Sequence, residues 1–148
     1  MTLEEKIQTD LITAMKAKDE VTLRSVRAIK AAIIMVKTDG SGQTFDADKE
    51  IKLLQKMVKQ RKESLAIFEQ QGRTELAKIE SDEIAVIEKY LPQKLSIEAV
   101  EEIVKKIIAD TGAAGMKDMG KVIGAANKHL AGQAEGAVIS GIVKKLLT

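Results

Sequence analysis

The spacing of apolar side chains is the feature that most limits the fold of this 148-residue chain. Apolar positions recur at steps of three and four along nearly its whole length, and no segment shows the strict alternation of a half-buried strand. Pro92 is the only proline, so little interrupts helix formation. The clearest apolar line is that of Val26, Ile29, Ile33 and Val36. The sequence therefore predicts an all-α fold.

Capping residues and helix breakers divide the chain into seven predicted helices. Thr2 and Glu5 form a capping box at the start of the first helix, and Ser96 caps the fifth. The Gly- and Asp-rich segment 38–48 is the one clear loop. The predicted helices cover about 3–18, 20–37, 48–71, 74–90, 97–111, the segment from the cap Asp118 to just before Gly132, and a last segment containing 138–147.

A domain boundary is predicted at PQKLS, residues 92–96. The residue before a proline disfavours the α region, so Leu91 and Pro92 end the fourth helix. Four predicted helices precede this point and three follow it. We therefore expect an N-terminal four-helix region, residues 1–94, followed by a compact C-terminal three-helix domain, residues 95–148.

Composition excludes several kinds of site. The chain has no cysteine, which rules out disulfides, thiolate zinc sites and a cysteine nucleophile. Its single histidine, His129, does not belong to the Glu-x-x-His pairs of a di-iron bundle and is interpreted as an exposed helix-terminal residue. No catalytic residue, metal site or cofactor is therefore predicted. Because no apolar run approaches a membrane span and the N-terminus lacks a signal-peptide core, we expect a cytoplasmic protein without membrane contact.

Three charged residues interrupt apolar lines on the third and fourth predicted helices. Arg61 lies within the apolar line of the third helix, and Glu80 and Glu83 lie within that of the fourth. A half-buried charge without a partner is costly. We therefore expect Arg61 to form a structural ion pair with Glu80 or Glu83. A catalytic pair of carboxylates is the alternative.

Basic side chains form lines on two predicted helices. The line on the third helix is Lys49, Lys52, Lys56 and Lys59, and that on the second helix is Arg24, Arg27, Lys30 and Lys37. Such lines suit phosphate contacts, and an ordinary solvated face is the alternative. Aromatic residues make up only 2% of the chain, so stacking on unpaired bases is not expected. Contact with the backbone of a folded RNA fits this composition better.

Glycines and lysines alternate in the predicted sixth helix and the turn after it. The glycines do not form a phosphate-binding loop, because the G-x-x-x-x-G-K-[ST] pattern and a preceding strand are both missing. The spacing of Gly120 and Gly124 serves either close helix packing or close approach of a partner's backbone. Lys121 and Lys128 share a face beside Gly124, and Lys117 precedes the helix N-terminus, where anions bind.

Three motifs carry a resemblance to a known family. They are KQRKESLAIF at 59–68, YLPQKLS at 90–96, and DMGKVIG at 118–124 followed by AGQAEGAVISGIVKKLL at 131–147. In this order and spacing, the whole chain resembles the GatB/YqeY-domain family and in particular its stand-alone YqeY-like members. The family fold is all-helical, with an N-terminal helical region and a C-terminal three-helix domain.

The resemblance also implies a function. The same unit forms the C-terminal tail of the B subunit of tRNA-dependent amidotransferases, where it helps to bind tRNA away from the chemistry. Stand-alone members carry a label of carbon–nitrogen ligase with glutamine as amido donor, inherited from the multidomain enzyme. This chain has no ATP motif and is too short for both catalytic sites, so we expect a non-catalytic, tRNA-associated protein. The alternatives are an interaction module for an amidotransferase or aminoacyl-tRNA synthetase subunit, and an amide-forming enzyme in its own right.

The residues expected to contact tRNA come from both parts of the chain. They are Lys117, Lys121, Gly124, Lys128 and Gly132, together with Arg24, Arg27 and Arg61. One departure from the family pattern weakens the contact at the last turn. A basic residue followed by Ala-Asp is usual after the glycine, whereas this chain has Gln133 and Glu135 in a GQAE sequence.

Overall fold

The computed structural model describes all residues 1–148 and contains helices but no strand, which confirms the all-α prediction. Two compact units are present, Met1–Leu91 and Pro92–Thr148. None of the helices combines the length and the apolar composition that a bilayer crossing requires. The helices are α1 (Leu3–Ala17), α2 (Glu20–Lys37), α3 (Ala47–Gln70), α4 (Thr74–Glu88), α5 (Ile97–Thr111), α6 (Met119–His129) and α7 (Gly136–Leu147), with a 3₁₀ turn at Met116–Asp118.

Side-chain caps set where most of the helices begin. Thr2 and Glu5 form the complete capping box at the start of α1. Asp19, Asp46 and Ser96 each accept a hydrogen bond from the backbone N–H three residues later, at the starts of α2, α3 and α5. Because these residues satisfy N–H groups that the helix leaves free, they fix the helix starts from local sequence alone.

Two helix ends differ from the sequence prediction. Helix α4 ends at Glu88 rather than Tyr90, because its last turn tightens and the Tyr90 N–H bonds to the carbonyl of Ile87 at 3.0 Å. Asp118 was expected to cap α6, but it forms no capping bond there. Its carboxylate instead accepts the N–H of Ala114 at 2.9 Å, and the 3₁₀ turn leads into α6.

The N-terminal unit has an aliphatic core contributed by all four of its helices. Its largest fully buried side chains are Ile7, Ile29, Ile33, Leu54 and Ile87. At one side of this core, the Tyr90 hydroxyl donates a hydrogen bond to the carboxylate of Asp10 on α1. Burial, followed by this bond, raises the pKa of Tyr90 well above its ordinary value. The phenol therefore stays protonated near neutral pH and acts as a tie between α1 and the end of α4.

The C-terminal unit has a separate aliphatic core formed by α5, α6 and α7. Its buried side chains are Val100, Val104, Val122, Ala126, Leu130, Ile139, Ile142 and Val143. The Leu95 N–H donates to the carbonyl of Gln133 at 2.9 Å, which ties the start of α5 to the turn between α6 and α7. Within that turn, Gly132 is buried and has a φ of 78°, a conformation that favours glycine.

Candidate nucleic-acid interface

Helix α6 presents one exposed face that carries glycine and lysine. Its opposite face is fixed in the core by Val122, Ala126 and Leu130, all completely buried. Because an α-helix has 3.6 residues per turn, a set of residues on the other side of the helix points outward. We call the exposed set the α6 face, and it consists of Gly120, Lys121, Gly124, Asn127 and Lys128.

The glycines of the α6 face are not explained by packing within the chain. A Cβ atom added at Gly120 or Gly124 would meet no atom within 4 Å, and neither residue has a positive φ. Glycine inside a helix is less favourable than alanine by about 0.5–1 kcal/mol. The sequence left two uses of these glycines open, close helix packing and close approach by a partner. No other helix of this chain packs closely against Gly120 or Gly124, which excludes the first use within the chain. Close approach by a partner stays a prediction.

The lysines of the α6 face have no internal partner. Lys121 and Lys128 are exposed, and neither forms an ion pair. They lie seven residues apart, which corresponds to about 10 Å along the helix axis. Lys117 is also exposed, but it lies in the 3₁₀ turn before α6 rather than beside a free helix N-terminus. The face therefore carries positive charge available to an external anion.

The other residues around α6 have plainer positions. His129 is the last residue of the helix and is exposed. Gly132 is buried in the following turn, where it serves the backbone conformation rather than the exposed surface. Glu135 precedes α7 without capping it, and its carboxylate lies 3.9 Å from the Lys94 ammonium. No three histidine, aspartate or glutamate side chains come together as they would to hold a metal ion.

A second charged cluster lies inside the N-terminal unit and is centred on Glu83. One carboxylate oxygen accepts from Arg24 Nε at 2.9 Å, and the other accepts from Arg61 Nε at 2.8 Å. Arg61 also donates to the carbonyl of Met57 at 3.2 Å. The structure thus joins Arg61 to Glu83, whereas Glu80 is half-buried and forms no ion pair.

Sequence reasoning missed the part that Arg24 takes in this cluster. Arg24 was assigned to a basic line that could contact RNA. Its spacing on α2 does not predict the ion pair with Glu83, because that residue lies 59 positions further along the chain. The bonds to Glu83 orient both Arg24 and Arg61 toward the N-terminal unit's own carboxylate. Both guanidinium groups are thus already engaged within the unit, and their contact with RNA stays a prediction.

Two lysines of the basic line on α2 also bond to side chains within the unit. Lys37 forms an ion pair with Glu4 at 2.6 Å, and Lys30 donates to the side-chain oxygen of Gln8 at 3.3 Å. Arg27 is exposed and forms no ion pair. Of the basic line on α2, Arg27 and Lys30 form no ion pair with an acidic side chain.

Fold and surface together define a small, all-helical protein of two compact units with an unpaired, glycine-bearing basic helix face. Residues 4–147 match the family model described as Yqey-like protein, and the chain belongs to this family.

Curated relatives come from fungi and are named Altered inheritance of mitochondria protein 41, mitochondrial. The chain is 36% identical over 125 residues to that of Clavispora lusitaniae, covering 84% of this chain and 71% of the relative. It is 37% identical over 101 residues to that of Meyerozyma guilliermondii, covering 68% and 52%. For Lachancea thermotolerans the figures are 32% over 101 residues, covering 68% and 54%. The chain thus spans only about half the length of the latter two.

These names correct one expectation. A cytoplasmic protein was predicted from the absence of an apolar leader and of a membrane span, yet the relatives are named as mitochondrial proteins. The prediction was wrong because an import address for mitochondria is not an apolar segment. Such segments are amphipathic and basic, and a search for apolar cores does not find them.

The Glu83 cluster generates a stability prediction. Replacement Glu83→Gln keeps the side-chain shape but leaves Arg61, whose side chain is only 18% exposed, without a compensating charge. We expect the free energy of unfolding to fall by about 1–3 kcal/mol, measured by urea denaturation. The control Arg24→Gln removes a charge that is 43% exposed and should cost under about 1 kcal/mol. Equal stability of Glu83→Gln and the wild type would contradict a structural role for the cluster.

Proposed function

We propose that the chain is a non-catalytic, tRNA-associated protein whose α6 face lies against the sugar–phosphate backbone. One observation carries the proposal. Gly120 and Gly124 are exposed, lack a Cβ where the structure has room for one, and lie beside the unpaired Lys121 and Lys128. Packing within the chain does not explain this combination, whereas close contact with a sugar–phosphate backbone would.

The chemistry of the α6 face matches a phosphate backbone. With no side chains at Gly120 and Gly124, another chain can come close to the helix, and the lysines beside them can neutralise phosphates. Asn127 adds a hydrogen-bonding group on the same face. No aromatic residue lies there, so the contact would recognise shape and charge rather than stack on unpaired bases. The likeness to the amidotransferase tail is what favours tRNA among folded RNAs.

The geometry also narrows the set of residues proposed to contact tRNA. The core of the contact is Lys121, Gly124 and Lys128, with Lys117 at its edge. Arg27 remains available in the N-terminal unit. Arg24 and Arg61 leave the proposal because Glu83 holds them, and Gly132 leaves it because it is buried in a turn.

Charge reversal on the α6 face tests the proposal. The pair Lys121→Glu and Lys128→Glu should weaken binding of purified tRNA at least tenfold near 0.1 M salt and lower the slope of log affinity against log salt by about two. Fluorescence anisotropy at four salt concentrations measures both quantities. The matched control is Lys106→Glu with Lys144→Glu, an equal charge change at two other exposed lysines of the same unit that form no ion pair. An equal loss from both pairs would mean that only net charge matters and would count against a specific face.

Alanine at Gly124 separates packing from partner approach. Because the added methyl group meets no atom within 4 Å, Gly124→Ala should stabilise the C-terminal unit by about 0.5–1 kcal/mol. The same methyl group should hold a phosphate backbone away and reduce tRNA affinity several-fold. Gly141→Ala, at another exposed helical glycine with the same free space, is the control and should stabilise without weakening binding. If Gly124→Ala binds tRNA as tightly as the wild type, the proposal that a phosphate backbone lies close to Gly124 is wrong.

A protein-interaction module is the second candidate, and exposed apolar side chains in the N-terminal unit favour it. Ile67 is 51% exposed, Leu76 37% and Ile79 39%, all near the turn that joins α3 to α4. Such residues suit contact with another protein surface. Under this reading, the α6 charge reversals would leave tRNA affinity unchanged, whereas Ile67→Ser with Ile79→Ser would abolish binding of a synthetase or amidotransferase subunit.

An amide-forming activity is the third candidate, and we expect it to be absent. The chain has no cysteine to serve as a glutaminase nucleophile, and its one histidine is exposed at a helix end. Purified protein incubated with mischarged Glu-tRNA, ATP and glutamine should therefore produce no Gln-tRNA above background, with a complete amidotransferase as positive control. Product that rises in proportion to the amount of this chain would overturn the non-catalytic assignment.

A further inference from the structure

Three lysines form an exposed stripe along α3 of the N-terminal unit. Lys52, Lys56 and Lys59 recur at steps of four and three and are all exposed. The opposite face of the helix is held in the core by Leu54, Met57 and Val58. Lys52 and Lys59 are therefore about 10 Å apart along the axis, on a helix whose orientation the core fixes. We call these three residues the α3 stripe; Lys49, which continues the line, is only half-exposed.

The charge of the α3 stripe is not compensated within the unit. None of the three lysines forms an ion pair, although Arg24, Arg61, Lys37 and Lys62 of the same unit all do. The segment 51–62 contains five basic residues and no acid. Of the flanking acids, Glu50 accepts the backbone N–H of Leu3 at 3.2 Å, and neither Asp48 nor Glu63 lies within 4.0 Å of a lysine ammonium. The stripe thus places three unpaired lysines on one face of a single helix, with no acidic residue between them.

The surroundings of the stripe show which kind of anion it suits. Gln55 lies between the lysines and Gln60 follows Lys59; both are exposed, and their amides donate and accept hydrogen bonds. The only exposed large apolar residue of α3 is Ile67, which lies beyond the stripe. A membrane-surface helix needs apolar side chains beside its cations, and most protein interfaces have an apolar centre. A sugar–phosphate backbone needs only cations and hydrogen-bonding groups.

We infer that the α3 stripe is a second contact surface for the sugar–phosphate backbone of a folded RNA. The inference rests on the proposed function in taking RNA as the partner, but it stands on different residues in a different unit. Each unit then carries its own basic surface. Two weak contacts on one ligand bind more tightly than either does alone, provided that both engage at once.

Neutralising the stripe in the full chain tests the inference. The triple variant Lys52→Gln, Lys56→Gln and Lys59→Gln keeps good helix formers and removes three charges. We expect its affinity for purified tRNA to fall about tenfold or more near 0.1 M salt, with a salt slope shallower by about two. The matched control neutralises three other exposed, unpaired lysines of the same unit, Lys6→Gln, Lys16→Gln and Lys78→Gln, and should change affinity less than twofold. Circular dichroism confirms that both variants remain helical.

The α6 charge-reversal pair is measured in the same assay so that the two claims can fail separately. If that pair weakens binding while the stripe variant matches the wild type, the inference is wrong and the proposed function stands. If the wild-type chain does not bind tRNA at all, both are wrong. A stripe variant that loses binding to vesicles of anionic lipid but keeps its tRNA affinity would assign the stripe to a membrane surface and would also overturn the inference.

Discussion

The Glu83 carboxylate determines how the N-terminal unit distributes its charge. It lies on α4 with only 12% of its side chain exposed and accepts hydrogen bonds from arginines on α2 and α3. A carboxylate in an aliphatic environment must be paired, since its desolvation is otherwise uncompensated. The pairing connects three helices and engages two arginines, of which Arg24 is still 43% exposed. Among the cations of the unit that stay unpaired, the lysines of the α3 stripe lie together, opposite the buried side of their helix.

Helix α6 of the C-terminal unit shows the opposite arrangement, because its polar face makes no internal bond. Val122, Ala126 and Leu130 hold the helix through burial, so the outward residues contribute little to stability. Two of them are glycines, which lower helix stability where the structure has room for a larger residue. Residues that lower the stability of the element in which they lie are expected mainly at functional surfaces. Gly141 of α7 has the same free space, so neither the glycines nor the lysines alone distinguish α6; the combination of two such glycines one turn apart with two unpaired lysines does.

The sequence predicted what local interactions determine. Apolar spacing predicted the seven helices, and the predicted caps at Thr2 and Ser96 each accept the backbone N–H three residues later. The cap predicted at Asp118 does not form, because its carboxylate accepts the backbone N–H of Ala114 instead of an N–H of α6. The ion pair of Arg24 could not be predicted because its partner, Glu83, lies far along the chain. The free space at Gly124 is likewise a property of neighbouring elements, so spacing alone could not decide between packing and partner approach.

The modest charge of the chain limits what kind of RNA association it can support. Its net charge is +2, so attraction must come from local clusters rather than from the protein as a whole. The α6 face and the α3 stripe together offer five unpaired lysines. Full engagement of all five would give a salt slope of roughly −4 to −5 on a duplex-like backbone, below that of proteins with eight or ten phosphate contacts. Binding of this kind is salt-sensitive and indifferent to base sequence, because neither surface carries an aromatic ring or an arginine fork to read bases. Selection among RNAs would then depend on shape, which fits a protein that accompanies a folded RNA better than one that reads its sequence.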